Sequence, residues 1–140
     1  MIKIDSSDLN KFSVMLGELP GEIKDNVRKV VKNSAFNIER NAKSSASVKT
    51  GHLRRSISTK MGDMEATIHT SNLKYAPMVE FGTRPHIIRP KNKKALYWKG
   101  ATHPVKQVNH PGSKAKPYLI PAFEKEKDQF LEKLKEVIRW

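Results

Sequence analysis

Between Glu80 and Glu124 the chain has no acidic residue and nine basic ones. Five of its eight prolines fall within residues 83–118. Proline has no amide hydrogen to give to a helix interior or a central strand. A run of unneutralised cations also stays in water. About a quarter of the chain, residues 83–118, therefore reads as a long basic excursion, partly stranded, with the core built mainly from its two flanks. A long excursion from a small domain is usually either functional or mobile.

The 140 residues fit one domain, 1–140. Leu9, Phe12, Leu16 and Leu19 share a helical face, which predicts a short N-terminal helix over 1–19 with Ser6 or Ser7 as its cap. Pro20-Gly21 ends it. Ile23, Val27, Val30, Val31, Ala35, Ile38 and Ala42 recur at steps of three and four, predicting a long helix over 20–46. Residues 50–82 read as the sheet core. Ser56–Met61 and Glu65–Thr70 are strands joined at Gly62-Asp63, with Ala66, Ile68 and Thr70 alternating against Glu65, Thr67 and His69. Tyr75–Phe81 continues this region as a short apolar segment, closed by Gly82. Residues 83–118 form the basic arm, with a hairpin expected from Ala95–Lys99 and Val105–Val108 turning near Gly100. The C-terminal helix occupies 119–140. Its apolar face is expected to be Phe123, Phe130, Leu134 and Val137, with Pro121 in the first turn. The fold class is α+β: a small twisted antiparallel sheet packed against the long helix and the C-terminal helix, with a long basic hairpin or loop excursion.

The formal charge is +13, and residues 51–120 hold 13 basic against 3 acidic side chains. Such an imbalance suits a polyanion or an acidic protein surface. Tyr97, Trp98 and Tyr118 lie among the cations, where aromatic rings can stack on single-stranded bases. A second reading fits a lone aromatic cluster better: Leu96 and Trp98 cover a small core while Tyr97 and Lys99 face out. Catalytic patterns are missing. There is no cysteine, which excludes thiolate chemistry and disulfides and fits a reducing cytoplasm. His52, His69, His86, His103 and His110 show no metal-ligand spacing. No P-loop, GxGxxG or GxSxG occurs. A nuclease centred on Glu80 lacks the companion carboxylates that two metal ions require. No catalytic, cofactor or metal site is expected. No apolar run of about 18 residues is present to span a membrane. The N-terminus also lacks the basic start and apolar stretch of a secretory leader.

Three segments carry a resemblance: Thr50-Gly51-His52-Leu53-Arg54, then Tyr75-Ala76-Pro77-Met78-Val79-Glu80-Phe81-Gly82-Thr83, then Lys116-Pro117-Tyr118-Leu119-Ile120-Pro121-Ala122. They resemble the tail-component family of long-tailed phages typified by the gene-ten product of phage Hong Kong 97. That family's pattern is TGxLRxSI, YAxxVEFGT and PFLxPA before a terminal helix. Tyr118 stands where phenylalanine is commoner, and His110-Pro111-Gly112 is similar to a variant found in these proteins. The likeness covers about residues 20–138.

The resemblance implies a structural virion protein without catalytic activity, made in the host bacterial cytoplasm. It implies a neck or tail-completion role where the DNA-filled head meets the tail. The chain would form a ring, often six-fold, between a head-closure or adaptor protein and a tail terminator or tail-tube protein. Packaged DNA is a further contact, and no membrane is involved.

The motif residues also have physical readings. Gly51 turns the chain and Thr50 caps the short helical turn that carries Leu53. Leu53 and Ile57 enter the core, and Arg54 pairs with Glu80. Tyr75, Val79 and Phe81 are core or interface residues. Gly82 permits a sharp exit, and Pro117 and Pro121 set the approach to the last helix with Tyr118 and Leu119. Arg84, Arg89, Lys91, Lys93, Lys94, Lys99 and Lys106 are candidates for contact with a neighbouring subunit or with DNA in a channel. The alternative is a basic nucleic-acid-binding module using residues 84–116.

Overall fold

The computed structural model describes residues 17–47, 51–71 and 73–138. Nearly all of the expected N-terminal helix, and the expected cap Thr50, lie outside those residues. The element order is α1 (Gly21–Ser45), α2 (His52–Ser56), β1 (Ile57–Met61), β2 (Ala66–Thr70), α3 (Ala76–Phe81), β3 (His86–Ile88), β4 (Val108–His110) and α4 (Leu119–Ile138). The class is α+β, as the hydrophobic periods predict.

Helix α1 follows Pro20, whose carbonyl accepts from Lys24 N–H. It buries Val27, Ser34, Ala35, Ile38 and Ala42, four residues of the expected stripe and a serine, while Ile23, Val30 and Val31 are half-buried. Its C-terminal half packs with the first turns of α4. The central cluster is Ile38, Ala42, Ala46, Leu53, Ile57, Ala76, Tyr118 and Ala122. Leu53 and Ile57 enter the core as their spacing predicts. Helix α4 keeps Phe130, Leu134 and Val137 on its half-buried side as expected, but not Phe123. Ala122 and Glu126 are its buried residues, whereas Phe123 is half exposed. Small Ala122 lets the helix sit close against the Ala42 side of α1, and neighbouring residues lie about 100° apart around a helix. Phe123 is thereby turned outward. Glu126 is accommodated because its Oε1 accepts from Asn37 Nδ2 at 3.1 Å.

Strands β1 and β2 pair antiparallel from Ile57↔Thr70 to Met61↔Ala66. The turn lies at Gly62-Asp63 as expected, and Gly62 N–H donates to Glu65 O. Glu39 on α1 fastens this ribbon to the helix. Its carboxylate accepts from Lys43 Nζ and from Thr59 Oγ1 on β1. The Lys43 bond, then the Thr59 bond, hold Glu39 below the usual carboxylate range. A carboxylate lowered in the folded state adds stability above its unfolded pKa, and that stability disappears as pH falls through the folded value. Glu39→Gln is therefore expected to cost about 1 kcal/mol at pH 6 and progressively less below about pH 4. Urea midpoints measured at both pH values check this.

Two sequence expectations are corrected. Tyr75–Phe81 is not part of a sheet but forms the short helix α3. Pro77 occupies its first turn, where a missing N–H is harmless, and Gly82 stops it at φ 74°. The hairpin expected at 95–99 and 105–108 does not form as strands, and only a single bridge joins Leu96 to Val105. The paired strands of the arm lie nearer its root, as β3 and β4, with His86↔His110 and Ile88↔Val108 in register. Five prolines and the cation run leave too few consecutive ladder-forming residues farther out.

Candidate assembly site

The root of the arm is where the motif segments converge. Thr83 and Ser113 exchange both backbone bonds, Thr83 N–H to Ser113 O at 3.0 Å and Ser113 N–H to Thr83 O at 3.1 Å. Their hydroxyls lie 3.0 Å apart. Two glycines permit this approach. A Cβ on Gly82 would sit 2.6 Å from Ser113 O and 2.8 Å from Ala115 N, and one on Gly112 would collide with Thr83 O. Both have positive φ, 74° and 84°. One step farther in, Lys116 N–H donates to Val79 O at 2.8 Å.

Glu80 completes the root. It is 6% exposed, and its carboxylate accepts three backbone bonds at the start of α4. Tyr118 N–H and Leu119 N–H donate to Oε2 at 2.8 and 3.0 Å, and Ile120 N–H donates to Oε1 at 2.9 Å. The first amides of a helix have no partner inside it, and negative charge there also opposes the helix dipole favourably. Residues 115–118 supply no Ser, Thr, Asp or Asn to cap α4, so a carboxylate from α3 does it instead. This replaces the expected Arg54–Glu80 pair: Arg54 is exposed on α2, and no Arg54–Glu80 ion pair occurs among the described residues. Tyr118 follows directly into the core, where burial first and the Glu80 charge second push its phenol above the ordinary value.

All three segments border one groove of about 660 Å³ beside this root. His52 and Leu53 come from the first segment and Tyr75, Met78 and Val79 from the second; Ser113, Lys114 and Lys116 lead into the third. Gly51 has φ 72°, the turn expected of it. Among the expected core-or-interface residues, Val79 packs against the core, while Tyr75 and Phe81 stand outside it. Phe81 is 69% exposed, and Met78, which sequence reasoning passed over, is 53% exposed on the same helix. Pro117 precedes Tyr118, and Pro121 lies in the first turn of α4.

Arg84, Arg89, Lys91, Lys93, Lys94, Lys99 and Lys106 are all exposed and spread along the arm. Among the described residues, the ion pairs are Arg28 with Asp25 and Asp63 and Lys43 with Glu39, so none engages the arm. Hydrogen bonds of described residues 84–112 stay within residues 83–113. The expected cover of a small core by Trp98 does not occur, since Trp98 is half exposed and Tyr97 more so. Sequence reasoning also missed Thr83, Ser113 and the capping role of Glu80. The absent cap before α4 was the available signal for the last.

Residues 10–82, just over half of the chain, match the HK97-gp10-like family, described as "Bacteriophage HK97-gp10, putative tail-component". The match includes the first segment and the second except Thr83, and ends at Gly82, where the arm begins. No curated protein and no solved structure matches the chain.

Proposed function

The chain belongs to the HK97-gp10-like tail-component family, and from that premise we propose that it joins or completes the phage neck as a ring subunit. The family places it among phage structural proteins of the virion. Its finer role would lie at the head–tail junction, between a head-closure or adaptor protein and a tail terminator or tail-tube protein. It would act by binding, without catalysis. The observation that carries this reading is the arm root. It projects a basic ribbon bonded only to itself from a body that exposes Met78 and Phe81 beside it. A ring needs two different surfaces on each subunit, and the body and the arm supply two. Light scattering on the protein alone, and with purified heads or tails, tests it. A closed oligomer, or subunits that add to those particles, supports the reading. A monomer that ignores both removes it.

A second reading has the arm cations neutralising DNA phosphates, favoured by the absence of ion pairs along the arm among the described residues. Each neutralised phosphate releases counterions, so log affinity falls with log salt at a slope of about −0.9 per contact. Replacing Arg89, Lys91, Lys93 and Lys94 with Gln is then expected to flatten the slope by about 3 to 4. Fluorescence titrations at several salt concentrations measure it. An unchanged slope assigns the charge to an acidic protein partner.

A further inference from the structure

We propose that the arm tip of one subunit seats in a groove between α1, β2 and α4 of a second copy of this chain, with Trp98 as the anchor. This rests on the ring reading above and names the two surfaces that would meet. The groove has a volume of about 460 Å³ and is walled by Val31, Ile38, Ile68, Phe123, Phe130 and Leu131. Phe123 and Leu131 remain half exposed on its rim.

Two observations select the occupant. The tip is apolar and projected. Leu96 and Val105 exchange both backbone bonds, Ala101 N–H closes the turn on Trp98 O, and Tyr97 and Trp98 stay 69% and 50% exposed. Charge selects between the two grooves. The groove beside the arm root is bordered by Lys114 and Lys116 and would repel a tip flanked by Lys93, Lys94 and Lys99. The α1–β2–α4 groove carries Glu65 and Glu126 against Lys127 alone. Trp is also the residue type most often dominant when a buried contact anchors an interface.

The chain has no cysteine, so cysteine pairs report the contact without background. Lys99→Cys beside Trp98 and Lys127→Cys at the groove are exposed substitutions that leave both anchors intact. The two variants, one carrying a size tag, are mixed and oxidised. A covalent heterodimer well above the homodimer level of either alone is expected. In parallel, light scattering compares full-length wild type with Trp98→Ala, for which self-association should weaken about 30-fold or more. If wild type oligomerises but no heterodisulfide forms and Trp98→Ala assembles normally, this contact is wrong and the ring reading stands. If the Lys99→Cys/Lys127→Cys double variant closes within one chain as a monomer, the arm folds onto its own body and the proposal fails. If wild type stays monomeric at the highest soluble concentration and with heads and tails, both readings fall.

Discussion

Glu80→Ala is expected to lower unfolding stability by about 4 kcal/mol, the largest effect of any single substitution outside the central core. The change strips three amides at the start of α4 of their acceptor in a place that water scarcely reaches. Bonds to a charged group contribute about 1.5 to 3 kcal/mol each when made singly, and three on one carboxylate share that benefit. For a chain of this length the melting temperature should fall by about 12 °C. Glu80→Gln should recover roughly half of the loss, because an amide offers one acceptor oxygen and turns two hydrogens toward the remaining donors. Scanning calorimetry on the three proteins measures the series. A loss below about 1 kcal/mol for the alanine variant would mean that α4 does not depend on this cap.

Gly112→Ala is the second large effect, about 3 kcal/mol. Its methyl group would collide with a backbone oxygen that itself takes part in the Thr83–Ser113 exchange. Neither atom is the end of a flexible chain, so the root must open. Gly100→Ala is the control. Gly100 also has positive φ, 100°, but nothing lies within 4 Å of an added Cβ. It should cost only the conformational penalty of about 1 kcal/mol. Amide hydrogen exchange separates the two: Thr83 and Ser113 should lose protection in Gly112→Ala and keep it in Gly100→Ala. Equal protection in both would show that the root tolerates the methyl group.

What could be read without coordinates followed periodicity. The α1 stripe and the β1–β2 ribbon repeat at 3.6 and 2 residues, and a turn pair marks the ribbon's bend, so those elements appear almost where expected. Tyr75–Phe81 is six or seven residues long, too short for a period to separate helix from strand. There the local signals of Pro77 and Gly82 decided. The outward turn of Phe123 on α4 was not legible, because it depends on which faces of two helices can approach most closely. Glu126 is buried only because Asn37 lies opposite it. Of the arm root, the glycines and the motif order were visible. The bonds from Glu80 to residues 38 to 40 positions away were not, since pairing over such separations leaves no local pattern. The exposed cations were legible as a group because an acid-free run has no partner within itself.

The pair of backbone hydrogen bonds between Thr83 and Ser113 makes the body indifferent to what lies beyond it. The intervening chain leaves and returns at one point, so its length reaches the rest of the fold only through the entropy of closing a loop. That entropy changes by roughly 0.6 kcal/mol for each doubling in length. Lengthening, shortening or rewriting the tip should therefore leave the melting behaviour of α1, β1–β2 and α4 almost unchanged. Under the ring reading, selection on a mating surface can then act on one part of the chain while selection for folding acts on another, and specificity for neighbours becomes a replaceable part.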